Sequence, residues 1–212
     1  MDRDELIDRY LAAAPHSRSE VLIRPSPIPA QPGVYGWWIR RLPAAIDVSR
    51  CERHGDLTLL YAGISPSRPP ANGKPASRQN IRKRITQHFR GNAKSSTLRK
   101  TLGCLLADEL GIELRRVGSG TRRTFGTGEA ALSQWMADNA LVSWITVAEP
   151  WVLERELFHA LDLPLNLQGN GHNPFHEVLT GIRAAAEESA RALPVVDTPA
   201  RVRHRSTRAR IE

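Results

Sequence analysis

Residues 24–32 read RPSPIPAQP, four prolines in nine positions. Proline lacks an amide hydrogen and holds φ near one value, so this stretch suits neither a helix interior nor a central strand. It is expected to run as an extended linker. Before it, residues 2–13 set Leu6, Ile7, Tyr10 and Leu11 on one face of a short helix. After it, GVYGWWIRRL from Gly33 is rich in β-branched and aromatic residues and reads as a strand. LTLLYAGI at 57–64 is a second, largely apolar strand compatible with burial on both faces, and LVSWITVAE at 141–149 is a third.

The segments between these strands carry helix and loop signals. Residues 41–56 and the turn-rich 65–77 read as loops. RQNIRKRITQHFRG predicts a helix over 78–91 that ends at Gly91, with Ile81 and Ile85 as its apolar stripe. Ser95 or Ser96 is a candidate cap for the next helix, which carries Leu98, Leu102, Leu105 and Leu106. VGSGTRRTFGTG at 117–128 reads as a glycine-rich loop or hairpin, and EAALSQWMADNA as a helix. Pro150 opens another helix, where proline is tolerated in the first turn. A last amphipathic helix is expected near 175–192, and RVRHRSTRAR beyond it has the composition of a disordered basic arm.

Charge narrows the partners. The chain carries a formal +8. Residues 57–107 contribute ten Lys/Arg and no acid, whereas 108–190 carry twelve acids and six Lys/Arg. An acid-free basic stretch of this length is self-repelling unless a polyanion replaces its counterions, as nucleic-acid phosphates do. Arg78, Arg82, Lys83, Arg90, Lys94, Arg99 and Lys100 are the candidate phosphate contacts. Two cysteines, Cys51 and Cys104, make neither a disulfide framework nor a four-thiolate zinc site. No run approaches the roughly 20 apolar residues of a membrane span. The charged start MDRDELIDRY does not resemble a secretory signal, so a cytoplasmic protein is expected.

Several of these residues form an ordered pattern. Gly33-Val34-Tyr35 and Tyr61-Ala62-Gly63 sit on two successive strands, IRKRITQHF follows on a helix, and VLERELFHALDLPLN on a later one. The pattern resembles the GIY-YIG nuclease family, with the two tripeptides as its signature, Arg84 at the catalytic-arginine position and Glu154 on the glutamate helix. Glu154 lies twelve residues before Asn166, as in repair-type members. The resemblance spans roughly residues 32–168.

What the resemblance implies is hydrolysis of DNA phosphodiesters with one divalent cation, Mg²⁺ or Mn²⁺. By the same resemblance, Tyr35 activates or orients the attacking water, and Tyr61 holds water or a phosphate oxygen. Arg84 stabilises the pentavalent phosphorus, and His88 assists proton transfer or contacts phosphate. Glu154 ligates the metal and Asn166 braces the site from behind. The residue types suit that chemistry. An arginine fork grips phosphate bidentately, and one carboxylate with retained waters is a usual Mg²⁺ site.

Each assignment has a rival in the sequence. Tyrosines on strands commonly pack cores. Arg84 competes with Arg82, and Glu154 with Glu156. The five tryptophans read as packing residues rather than base-stacking platforms. Ile64 stands where many family members carry lysine, and 25 residues separate Tyr35 from Tyr61.

The expected architecture is an α/β domain with a small, mainly antiparallel three-stranded sheet (33–40, 57–64, 141–148) flanked by helices. Residues 1–31 form an N-terminal helix and linker, 32–180 the nuclease-like domain with an elaboration at about 91–140, and 181–212 the helix end and basic tail. A metal-dependent DNA endonuclease is the leading reading. A nucleic-acid-binding protein that keeps the fold without cleaving is the alternative, and a basic scaffold recruiting RNA or an acidic protein is a third. Oligomeric state is open.

Overall fold

In the computed structural model, residues 2–43, 46–72 and 77–196 are described. Two capped helices precede the linker. In α1 (Arg3–Leu11), Asp2 and Glu5 form a reciprocal capping box; in the single turn α2 (Arg18–Val21), Ser17 and Glu20 do the same. Then follow β1 (Gly33–Ile39), β2 (Arg53–His54), β3 (Leu57–Ser65), α3 (Ile81–Arg90), α4 (Thr97–Leu105) and α5 (Ala107–Leu110). The remainder is β4 (Arg115–Val117), β5 (Arg122–Thr124), α6 (Glu129–Asn139), β6 (Ala140–Thr146), α7 (Pro150–Ala160) and α8 (His176–Ala192).

The main sheet has four antiparallel strands in the order β2-β3-β1-β6, not the three expected. The addition is β2, inside the segment read as a loop. It pairs Arg53 with Thr58 and His54 with Leu57 around a turn where Gly55 has φ of 60°. A two-residue strand is too short to leave a period-2 signal, so only its pairing reveals it. β4 and β5 form a separate hairpin, with Gly118 and Gly120 at positive φ in its turn. The expected basic arm from residue 197 onward lies outside the described residues.

Both faces of the sheet are covered. Tyr35, Trp37, Ile39 and Tyr61 face a core closed by α3, α4, α6 and α8. Val34, Trp38, Leu59 and Ala62 face a second core built with α1 and α7. Full burial of each such large side chain contributes roughly 1.5–3 kcal/mol, so an apolar run buried on both sides suits this sheet.

Strict alternation from Leu57 would put Leu59 and Tyr61 on the same face. It does not, because the β1–β3 register shifts between Trp37 and Trp38: Trp37 pairs with Tyr61 and Trp38 with Leu59. Leu60 is the extra residue of a β-bulge. The bulge turns Tyr61 onto the Tyr35 face while Leu59 stays with the opposite core.

At the outer edge of β3, the last bond on the β2 side runs from Leu59 N–H to Glu52 O at 2.9 Å, just before β2. The segment after α7 takes over. Leu165 N–H donates to Leu60 O at 3.0 Å. The Asn166 amide then closes a pair with Ala62, Oδ1 accepting from its N–H at 2.9 Å and Nδ2 donating to its carbonyl at 2.7 Å. One buried side chain thus replaces a missing strand partner.

Candidate active site

A cleft of about 570 Å³ opens beside this edge of β3. Tyr35, Tyr61, Arg84, Glu154 and Asn166 all line it, although they come from β1, β3, α3, α7 and the loop after α7. Leu153 and Leu157 anchor α7 on the far face of the sheet, and Glu154 between them reaches the cleft.

Helix α3 is held at its start. Asn80 caps it by accepting from Lys83 N–H at 3.0 Å, and Ile81 N–H donates to Gln31 O of the linker at 3.1 Å. Ile81, Ile85 and Phe89 are buried, which leaves Arg84 half-buried beside the stripe. Its Nη1 donates to Gln87 Oε1 at 3.2 Å and to Ser95 O at 3.1 Å, aiming the guanidinium. Arg82 turns away and donates from Nε to Ile28 O of the linker. The same division separates the two glutamates: Glu156 pairs with Arg3 and Arg155, and Glu154 lines the cleft.

His88 is fully buried. Its Nε2 lies 2.9 Å from Tyr35 Oη and its Nδ1 lies 2.7 Å from Ser96 Oγ. Ser96, rather than Ser95, caps α4, accepting from Arg99 N–H at 3.1 Å. One hydroxyl therefore starts a helix and fixes the imidazole. Trp37 packs edge-on to that imidazole, with ring centroids 5.6 Å apart. So enclosed, the imidazole does not line the cleft and meets it only through Tyr35.

Burial dominates the electrostatics. It raises the Tyr35 phenol well above its usual value, with Tyr61 adding to the effect and Arg84 opposing it. Tyr61 is pushed up to about 12, again by burial, with Arg84 opposing and Glu154 reinforcing. His88 is held well below 6.5 by burial first, then by Arg84 and Arg99, and so stays neutral. Glu154 is raised to about 7 by desolvation. Among the described residues its carboxylate has no ion-pair partner. A desolvated carboxylate without a cation, in a cleft with room for water, fits a hard divalent ion that keeps most of its hydration shell. No cluster of three or more His, Cys, Asp or Glu side chains forms a metal cage among the described residues.

The basic residues expected at a nucleic-acid surface divide. Arg78, Lys83, Arg90 and Lys94 are exposed, and Lys100 is half-buried in an ion pair with Glu187. Arg82, also exposed, commits its Nε to the linker. Arg99 departs from the expectation: its side chain is 0% exposed, so it has no access to a polyanion. Its Nη2 donates to Glu129 Oε2 at 2.7 Å, to Glu129 O and to Ser133 Oγ, locking α4 to α6. Sequence reasoning chose it because a buried, paired arginine looks the same as an exposed one in a linear chain.

Other residues escaped that reasoning. Arg68, Arg155 and Trp151 line the cleft, Trp151 half-buried at the start of α7 rather than in either core. Gly63 also belongs to the site. A Cβ there would stand 2.5 Å from Tyr35 Oη and 2.6 Å from Cζ, so the phenol rests against bare backbone. The tripeptide offered that glycine, but not its reason.

A small antiparallel sheet between helical layers, with two phenols, a guanidinium and a desolvated carboxylate around one cleft, is an architecture of the nuclease class. Residues 33–185 match the GIY-YIG catalytic domain, and over more than half of its length the chain belongs to that family of nucleases. No curated protein and no solved structure matches the chain.

Proposed function

We propose that the protein is a metal-dependent endonuclease that hydrolyses DNA phosphodiester bonds in this cleft. The observation that carries the reading is the convergence of Tyr35, Tyr61, Arg84 and Glu154, from four separate elements, on one cavity. In this reading Arg84 grips the non-bridging oxygens of the scissile phosphate and neutralises charge as the fifth P–O bond forms. Tyr35 accepts a hydrogen bond from the attacking water. The Tyr35 hydroxyl donates in turn to neutral His88 Nε2, which leaves a phenol lone pair facing that water and orients it for attack. Ser96 holds the imidazole in register. Tyr61 orients water or a phosphate oxygen beside Tyr35, and Asn166 keeps the Tyr61-Ala62-Gly63 backbone in place. Glu154 would hold a Mg²⁺ or Mn²⁺ ion, which when bound supplies Lewis-acid stabilisation of the leaving oxygen.

Plasmid nicking with Mg²⁺ or Mn²⁺ tests the proposal. Arg84→Ala is expected to lower the rate by about 10²–10³-fold, the usual cost of one transition-state donor, and Glu154→Gln to abolish metal-stimulated cleavage. Equal activity in wild type and both variants would place the chemistry elsewhere. Salt-sensitive binding with no cleavage by wild type would leave a binding protein that keeps the fold.

A further inference from the structure

A second cavity, of about 420 Å³, shares a wall with the first. Arg84 and Thr97 line both. The rest of its lining includes Lys94, Lys100, Arg123 and Arg183, from the α3–α4 connection, α4, β5 and α8. Five cations therefore surround one groove. Among the described residues, Glu187 of α8 pairs with two of them, Lys100 and Arg123. Arg183 Nη1 is held by Thr101 Oγ1 at 3.4 Å.

Like charges gathered from several elements repel, and the fold tolerates this at a cost unless an anion occupies the groove. The position of the groove indicates which anion. A nucleic-acid strand carries a charge about every 3.4 Å along the helix axis, so a strand with one phosphate at Arg84 brings its neighbours along the shared wall. Resting on the nuclease reading, we propose that this groove binds the non-scissile backbone phosphates of the DNA strand flanking the cleavage point. Contacts to backbone phosphates set position and affinity rather than sequence. Arg123 and Arg183 come from the net-acidic part of the chain, where linear charge counting finds no interface.

Fluorescence anisotropy of a labelled DNA duplex tests this, with the full-length protein in EDTA so that binding is read without hydrolysis. Arg123→Gln/Arg183→Gln is expected to weaken binding and to flatten the log K against log salt slope by about 1.8, near 0.9 for each phosphate no longer neutralised. Glu187→Gln, which frees two cations, is expected to tighten binding, an outcome that misfolding does not produce. Arg9→Gln on α1, at the other face of the sheet, is the control for loss of an arginine away from the groove and leaves both quantities at wild-type values. A wild-type slope in the double variant, equal weakening in Arg9→Gln, or unchanged affinity in Glu187→Gln overturns the proposal. Groove binding that behaves as expected in a protein that nicks nothing sinks the nuclease reading instead, and normal nicking with indifferent groove variants sinks only the groove.

Discussion

Gly63→Ala asks whether the last residue of the second tripeptide is glycine for packing against Tyr35. The added Cβ would lie 2.5 Å from Tyr35 Oη, while ordinary contact begins at 3.4 Å, so the phenol must retreat by about 0.9 Å. A shift of that size disrupts the 2.9 Å hydrogen bond to His88, whose useful range spans only a few tenths of an ångström. Two costs follow. Overpacking of this kind destabilises by about 1–3 kcal/mol. Misplacing a reacting group by about 1 Å lowers the rate by about 10²-fold. Urea unfolding reads the first cost and single-turnover nicking the second. Combining Gly63→Ala with Tyr35→Ala isolates the cause, because the second substitution removes the ring that the new methyl group would strike. The stability penalty of Gly63→Ala should then largely disappear, giving a coupling energy of the size expected for residues in contact. An undiminished penalty in the Tyr35→Ala background, or a fully active and fully stable Gly63→Ala, would refute the packing argument.

Other outcomes follow from the same structure. Glu129→Ala leaves Arg99 buried and unpaired and should cost about 3–5 kcal/mol in urea unfolding; a loss below about 1 kcal/mol would show that the pair is not what joins α4 to α6. Asn166→Ala strips Ala62 of two buried hydrogen bonds and should cost about 2–4 kcal/mol, with a melting curve as the check. For Glu154 the sign runs against the usual carboxylate case. Burial raises its folded pKa to about 7, so the penalty for ionising it is absent below its ordinary 4.5 and complete above 7. In EDTA, Glu154→Gln should therefore stabilise the protein by about 2–3 kcal/mol at pH 8 and hardly at all at pH 4, and equal effects at both pH values would contradict the desolvation argument.

The local vocabulary of this chain was readable in one dimension. Prolines marked the linker, period-3.6 patterns marked α1, α3 and α8, and apolar β-branched runs marked β1, β3 and β6. These signals arise from residues a few positions apart, and the spacing of the tripeptides, Arg84, Glu154 and Asn166 carried the family likeness with them. What decided the site was non-local. A bulge at Leu60 chose the face of Tyr61, and a two-residue β2 left the β3 edge that Asn166 completes. Ser96 became the partner of His88 only when α4 met α3. Arg99 went inside because α6 brought Glu129 to it, while Arg123 and Arg183 were carried from an acidic stretch to the wall of a basic groove. Burial and proximity are properties of pairs far apart in the chain, so charge and chemistry at these positions were settled by packing.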